Sequence, residues 1–276
     1  MTANDLTFGI EFETTMPAEY GAIRGGYHRG LQVEWLPQGW TAEGDGSIYA
    51  RGNRVGVEFV SPVLKGVDGL QQVLTVLAEL KRRGARVNES CGLHIHVGGF
   101  TTSPVNLDRL TTMVSNFERA IYASTGTKKR ERGSYCRGIR SVTEIVARRV
   151  LPSDRYRVLN LTNVHSGRRP AVEFRAFAGT LNEVKVVGYL RMALGLVERA
   201  IETRKVKWIA KPTVETSPIK RGGEGQTELN RLFYHLGWTK GRAKRVYGDL
   251  DCTPAPGAKQ VKAELMRLAK KYDAAS

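Results

Sequence analysis

Four short stretches of this chain share one alternation. In Gly9-Ile-Glu-Phe-Glu13, Gly56-Val-Glu-Phe-Val60, Gly92-Leu-His-Ile-His-Val-Gly98 and Val172-Glu-Phe-Arg-Ala-Phe177, apolar residues alternate with carboxylates, imidazoles or a guanidinium. Successive side chains of a β-strand point to opposite faces, so each stretch reads as a strand with an apolar side and a charged side. The charged sides carry Glu11 and Glu13, Glu58, His94 and His96, and Glu173 with Arg175. If these strands share a sheet, several carboxylates crowd one surface. Each like-charged pair at about 4 to 6 Å then costs on the order of 3 kcal/mol at an effective dielectric near 20. Bound cations or arginines make that arrangement tolerable. Hard oxygen ligands favour Mg²⁺ or Mn²⁺ over zinc, and Mg²⁺ held by a few carboxylates usually serves to hold substrate phosphates.

Each signal has a plainer reading. Glu-x-Glu on a strand is most often a solvated face. His-x-His is stronger, but His28, His165 and His235 are isolated, so a three-histidine zinc site is poorly supported. Asp45, within Glu43-Gly-Asp-Gly-Ser47, has a type I′ hairpin turn as its simple explanation. Cys91, Cys136 and Cys252 are odd in number and far apart, and they read as reduced thiols rather than a disulfide framework or a thiolate zinc site.

With 276 residues, of which 41% are hydrophobic, the chain can build one large domain or two small ones. No apolar run is long enough to span a bilayer and no signal-like leader opens the sequence, so a soluble, cytoplasmic protein with no membrane partner is expected. The formal net charge is +16. Basic residues concentrate in Lys128 to Arg157 and in Lys205 to Ser276. Such a field attracts phosphates, acidic small molecules, nucleic acid or an anionic surface, without choosing among them.

The first 65 residues read as a hairpin-rich sheet. Leu70, Val73, Leu74, Leu77 and Leu80 keep helical spacing, with Asp68 as N-cap and Gly84 just past the end. Ser103-Pro104 opens a second helix carrying Leu107, Leu110, Val114, Phe117 and Ile121. A mobile basic stretch broken by Gly126, Gly133 and Gly138, then a short helix around Val142 to Val150, is expected next. A long helix runs from about Asn182 to Lys205, and two more over Leu229 to Leu236 and Val261 to Tyr272. The pattern is α+β, with no Gly-rich strand-to-helix turn of Rossmann or P-loop type.

In chain order, G-I-E-F-E (Gly9 to Glu13), D-G-S-I with G-V-E-F-V-S-P-V (Asp45 to Val63), C-G-L-H-I-H-V-G (Cys91 to Gly98), N-L-T-N (Asn160 to Asn163) and V-E-F-R-A-F-A-G-T (Val172 to Thr180) resemble the motifs of the amidoligase family. That family belongs with glutamine synthetase and glutamate–cysteine ligase, and the resemblance covers roughly residues 6 to 204. It implies a curved antiparallel sheet flanked by helices, like the glutamine synthetase catalytic domain. The implied activity is that of an ATP-dependent carboxylate–amine ligase working through an acyl phosphate. Carried over motif by motif, Glu11, Glu13, Glu58, His94 and Glu173 would ligate two or three Mg²⁺ or Mn²⁺ ions. His96 and Arg175 would meet the nucleotide phosphates and the transferred phosphoryl group, with Arg168 and Arg169 beside the nucleotide. Asp45 would assist deprotonation of the amine. The implied organisation is a catalytic domain over 1–204 and a basic helical extension over 205–276, packed on the same domain.

The partners so implied are ATP with an amine and a carboxylate, at least one of them acidic. The basic residues, Lys128 to Arg140 together with Arg155, Arg157, Arg168 and Arg169, exceed what ATP alone requires and point to an acidic co-substrate or a polymer. Three other readings stay open at this level: a guanidino kinase, a ligase acting on a nucleic-acid base, and a non-enzymatic basic protein that binds nucleic acid.

Overall fold

A computed structural model describes residues 5–23, 25, 29–139, 154–209, 217, 219–239 and 255–275. Its spine is β1 (Thr7–Pro17). This strand pairs antiparallel with β4 (Arg54–Val60) on one side and β6 (Gly92–Gly98) on the other, while its first residues also meet β5 (Leu64–Lys65). Outward from β4 lie β3 (Thr41–Glu43) and β2 (Leu31–Gln32); outward from β6 lie β8 (Val172–Ala178) and β7 (Leu159–Asn160). Every pairing between these named strands is antiparallel, in the order β2-β3-β4-β1-β6-β8-β7. The expected α+β class, an antiparallel sheet flanked by helices, is the observed one.

Alternation decides which face is covered. Phe8, Ile10, Phe12, Phe59, Ile95 and Phe174 are all buried, in one continuous core with α1 (Gly66–Arg82), α2 (Pro104–Ala123) and the long Glu183–Glu202 helix. Burying each such side chain contributes about 1.5 to 3 kcal/mol, which fixes the register: a one-residue slip would put every phenylalanine in water and every glutamate in the core. Of two one-turn helices, α3 (Lys129–Arg132) packs on β8 and α4 (Thr162–His165) follows β7 in the chain, and the long helix comes next as α5. Two further helices, α6 (Glu224–His235) and α7 (Ala258–Ala274), pack on α2 and α5 and add Leu229, Leu232, Phe233, Leu265 and Leu268 to the same core.

Helix ends largely follow the sequence. Ser103 accepts a hydrogen bond from the Asn106 N–H at 3.3 Å, with Pro104 at the first helical position, and Asn182 caps α5 through the Lys185 N–H at 3.1 Å. Two expectations need correction. Asp68 is not the cap of α1: the helix begins at Gly66, and Asp68 sits in its first turn, where a negative charge favours the helix dipole. α6 starts earlier than Leu229, because Asp273 of α7 accepts from the Gly225 and Gln226 N–H groups at 2.6 and 3.1 Å, a cap supplied across tertiary structure. The expected helix at Val142 to Val150 lies outside the described residues. Of the basic stretch before it, residues 127–139 are folded against the sheet end, with Arg130 buried.

Gly84 closes α1 as expected. Its φ is 73°, and the Gly84 and Ala85 N–H groups donate to Lys81 and Leu80 carbonyls at 3.1 and 2.9 Å. A Cβ there would meet only Pro17 Cγ at 3.5 Å, so the cost of a side chain is conformational rather than steric. Gly84→Ala is expected to lower the unfolding free energy by about 1 kcal/mol in urea titration. No loss would mean the helix does not end in a left-handed residue.

Candidate active site

Strand register assembles the charged face. Pairing of β1 with β4 sets Glu13 opposite Glu58, and β3 sets Glu43 opposite Glu58. On the other side Glu11 faces His94, His96 faces Glu173, and Glu173 faces Asn160. Glu11 bridges both imidazoles, with Oε2 at 3.0 Å from His94 Nδ1 and Oε1 at 2.9 Å from His96 Nε2. His94 also lies 3.4 Å from Glu13 Oε1 and 3.6 Å from Glu173 Oε1. Arg175 donates to Glu173 Oε1 at 2.5 Å, and Asn160 donates to Glu173 Oε2 at 2.6 Å. The Glu13 carboxylate accepts the Gly92 N–H. A Cβ at position 92 would stand 2.9 Å from His94 Nε2 and 3.0 Å from an Arg130 nitrogen, so a side chain there would have to displace these groups of the cluster.

Crowding shows in the protonation of these groups. Burial, then repulsion from Glu11, Glu13, Asp45 and Glu43, pushes the Glu58 carboxyl up to about 10. Burial works against ionised Glu11, yet the charge of His96 and hydrogen bonds from both histidines hold it well below the usual carboxylate range. Glu173 is likewise buried and likewise lowered, by His96, Arg175 and His94. Burial would lower His96, but the Glu11 carboxylate, with Glu173 behind it, raises the imidazole to about 9.

Three triads bring ligand atoms within 4.8 Å of one another: Glu11, Glu58 and His94; Glu11, His96 and Glu173; Glu13, Asp45 and Glu58. Carboxylate oxygens with at most one imidazole and no thiolate form a donor set suited to Mg²⁺ or Mn²⁺, and a cation among them would remove the repulsion that keeps Glu58 protonated. The residues therefore fit such ions.

The cluster divides two openings. A cavity of about 620 Å³ is lined by Glu13, His94, Asp45, Arg130, Tyr135 and Arg175, among others. A smaller hollow of about 80 Å³ lies toward the start of β1, with Glu11, Ser61, His96 and Arg169 on its wall. The Glu11–His94 contact thus stands where the two meet. Asp45 reaches the cluster from a turn, not from the expected type I′ hairpin: its Oδ1 accepts from the Ser47 N–H at 2.6 Å, its carbonyl from Ile48 at 3.4 Å, and Gly46 is outside the left-handed region.

Of the residues singled out from sequence, Glu11, Glu13, Asp45, Glu58, His94, His96, Glu173 and Arg175 come together here. Arg169 joins at the small opening, while Arg168 is exposed and lines neither cavity. His165 is exposed at the end of α4; His235 packs on Phe117 with ring centroids 4.9 Å apart, away from the cluster; His28, Arg140 and Cys252 lie outside the described residues. Cys91 and Cys136 are buried free thiols, and burial raises both. Sequence reasoning did not single out Asn160 as a brace for Glu173, or Arg130, which donates to the Arg175 carbonyl at 2.5 Å. Asn160 could have been found within N-L-T-N; Arg130 was hidden among neighbouring basic residues.

Residues 28–151 match the sequence model of a family described as "Putative amidoligase enzyme". The central part of this chain is amidoligase-like. That stretch holds Asp45, Glu58, His94 and His96, whereas Glu11, Glu13, Glu173 and Arg175 lie outside it and join it through strand pairing. A solved structure described as "Apo GmaS without ligand" is similar over 96% of this chain and 68% of its own, at 12% identity and a TM-score of 0.40. No curated protein matches the chain.

Protonation gives the cluster a signature in stability. Folded Glu58 keeps its proton to about pH 10, whereas the unfolded chain releases it in the ordinary carboxylate range, so its contribution is complete in acid and is lost as pH rises toward 10. His96 acts in the same direction up to about pH 9. In EDTA, the melting temperature should therefore fall between about pH 6 and about pH 9, and Glu58→Gln should flatten that slope. Added Mn²⁺ should bind more tightly as pH rises, releasing protons as it does so. An unchanged slope in the glutamine variant would show that Glu58 is already ionised.

Proposed function

We propose that this chain is an ATP- and divalent-cation-dependent carboxylate–amine ligase that forms an amide or peptide-like bond through an acyl phosphate. The carrying observation is the convergence of Glu11, Glu13, Glu58, His94, His96 and Glu173 beside Arg175 on one sheet face. The amidoligase match over 28–151 supports the same reading. Residues 1–204 would form the catalytic unit and 205–276 a basic helical extension of it. The substrates belong to the class of peptides, proteins, amino acids or cell-envelope precursors, and the cytoplasm, where ATP is at hand, is the compartment.

A carboxylate is a poor electrophile, and phosphorylating one of its oxygens to an acyl phosphate, a mixed anhydride, gives it a leaving group. In the proposed reaction the substrate carboxylate attacks the γ-phosphorus of ATP, and the bond to ADP breaks. The amine nitrogen then attacks the acyl carbon and phosphate departs. Glu11, Glu13, Glu58, His94 and Glu173 would hold divalent cations, which when bound neutralise phosphate charge. His96, lowered by burial but raised overall to about 9 by Glu11 and Glu173, would be an imidazolium at neutral pH, suited to phosphate oxygens together with Arg169 at the small opening and, next to it in the chain, the exposed Arg168. Arg175 would stabilise the equatorial oxygens of the transferring group, the charge that develops in the transition state. Asp45, on the wall of the larger cavity, would take the amine proton, since an ammonium has no lone pair with which to attack.

The test is incubation with Mg²⁺-ATP and pooled carboxylates and amines, following ADP release and trapping with hydroxylamine. Hydroxamate should form with the wild type and vanish in Glu11→Ala and Glu173→Ala. Arg175→Ala should lower kcat by roughly 10²–10³-fold with a small change in KM for ATP. The product should be an acid-stable amide; an acid-labile phosphoramidate would replace this reading with a guanidino kinase. Failure to trap hydroxamate, with variants indistinguishable from wild type, would remove the acyl phosphate.

A further inference from the structure

Arg130 is the unexplained cation of the larger cavity. It is 9% exposed, its Nη2 donates to the Arg175 carbonyl at 2.5 Å, and its buried Nε has no hydrogen-bond partner. Among the described residues no carboxylate lies within ion-pair distance of it, although Glu13, Glu89 and Asp45 line the same cavity. A buried guanidinium without a counter-ion is unfavourable in the free protein and favourable once an anion arrives. Its position on α3, against Arg175 and beside Gly92, puts that anion next to the acidic cluster.

The mouth of the same cavity has a different chemistry. Tyr135 and Tyr156 meet edge to face with centroids 5.5 Å apart, and they are 55% and 39% exposed. Arg155 lies over the Tyr156 ring at 5.5 Å, also without a carboxylate partner among the described residues. Two exposed rings with a cation over one of them form a platform for a flat π system, since stacking and cation–π attraction both act on any such face. Neither ring is needed to fill the core.

We propose that the substrate entering this cavity is an aromatic anion, its negative group held by Arg130 beside the reaction centre and its planar ring stacked on Tyr135 and Tyr156. The assignment rests on the ligase reading above, which leaves the substrate's character open, and it makes Arg130 and the tyrosine pair specificity-determining residues. The ring can belong to an aromatic carboxylate or to a nucleotide; the chemistry that recognises it is the same.

Binding is measured by calorimetry on the full chain in Mg²⁺ without ATP, using indole-3-acetate, 5′-CMP and the aliphatic diacid glutarate as probes. The aromatic anions should bind at least about tenfold more tightly than glutarate, the tighter of the two naming the source of the ring. Tyr135→Ala with Tyr156→Ala, both surface changes, should erase that preference while leaving glutarate affinity unchanged. Arg130→Met, which removes the unpaired charge and also the hydrogen bond to the Arg175 carbonyl, should still fold, as its far-UV circular dichroism will show, yet weaken every anion at least about tenfold. Arg130→Lys should recover part of the loss. The proposal is overturned if glutarate binds as well as the aromatic probes, if no probe binds the wild type, or if Arg130→Met keeps full affinity. It is overturned equally if the double tyrosine variant weakens Mg²⁺-ATP binding in place of the aromatic probes, which would make the platform an adenine site. Since no step requires turnover, anion binding that persists while hydroxylamine traps nothing would sink the ligase reading and leave the binding assignment standing.

Discussion

The Glu11 carboxylate, gripped by two imidazoles of the neighbouring strand, is the contact on which the rest of the site turns. Each of its oxygens is committed to a different histidine, His94 toward the larger cavity and His96 toward the smaller. It stays ionised although buried because the pair facing it supplies positive charge and hydrogen bonds. Glu58, set opposite Glu13 and Glu43 rather than a histidine, is forced by burial and by the surrounding carboxylates to keep its proton. One sheet face therefore holds groups driven in opposite directions by their surroundings, the condition under which paired ionisable residues take distinct chemical roles.

That arrangement depends on a rigid support. The opposite faces of β1, β4, β6 and β8 are paved with fully buried aromatic and branched side chains, so no strand can slide without exposing them. The braces around Glu173 act at finer scale. Asn160 fixes one oxygen and Arg175 the other, while Asn160 Oδ1 itself accepts from the Thr162 N–H and hydroxyl at 2.9 and 2.8 Å. A carboxylate held from both sides has little freedom to reorient.

Electrostatics of the two ends differ. The narrow end offers His96, raised to about 9 by Glu11 and Glu173 against the effect of burial, together with Arg169. The wide end mixes acidic residues with Arg130 and Arg175 and opens beside Tyr135 and Tyr156. The +16 net charge is spread over the whole molecule, whereas these groups set the local field of each opening.

Much of this was legible in the sequence because period-two alternation assigns faces with no knowledge of neighbours. Glu11, Glu13, Glu58, His94, His96, Glu173 and Arg175 were all readable as members of charged strand faces, and Ser103, Asn182 and Gly84 as helix ends, since alternation and capping are local properties of the chain. Which strands would lie side by side was not local. The register that sets Glu11 against His94 and His96 against Glu173 joins segments many residues apart and is fixed by packing of the buried face. The early start of α6, capped by Asp273 from α7, and the isolation of Arg130 amid a run of basic residues arose the same way. Sequence determined the chemistry each strand could present; only tertiary packing decided which charges meet and which, among the described residues, are left without a carboxylate partner, because burial and distance, not residue type, set those energies.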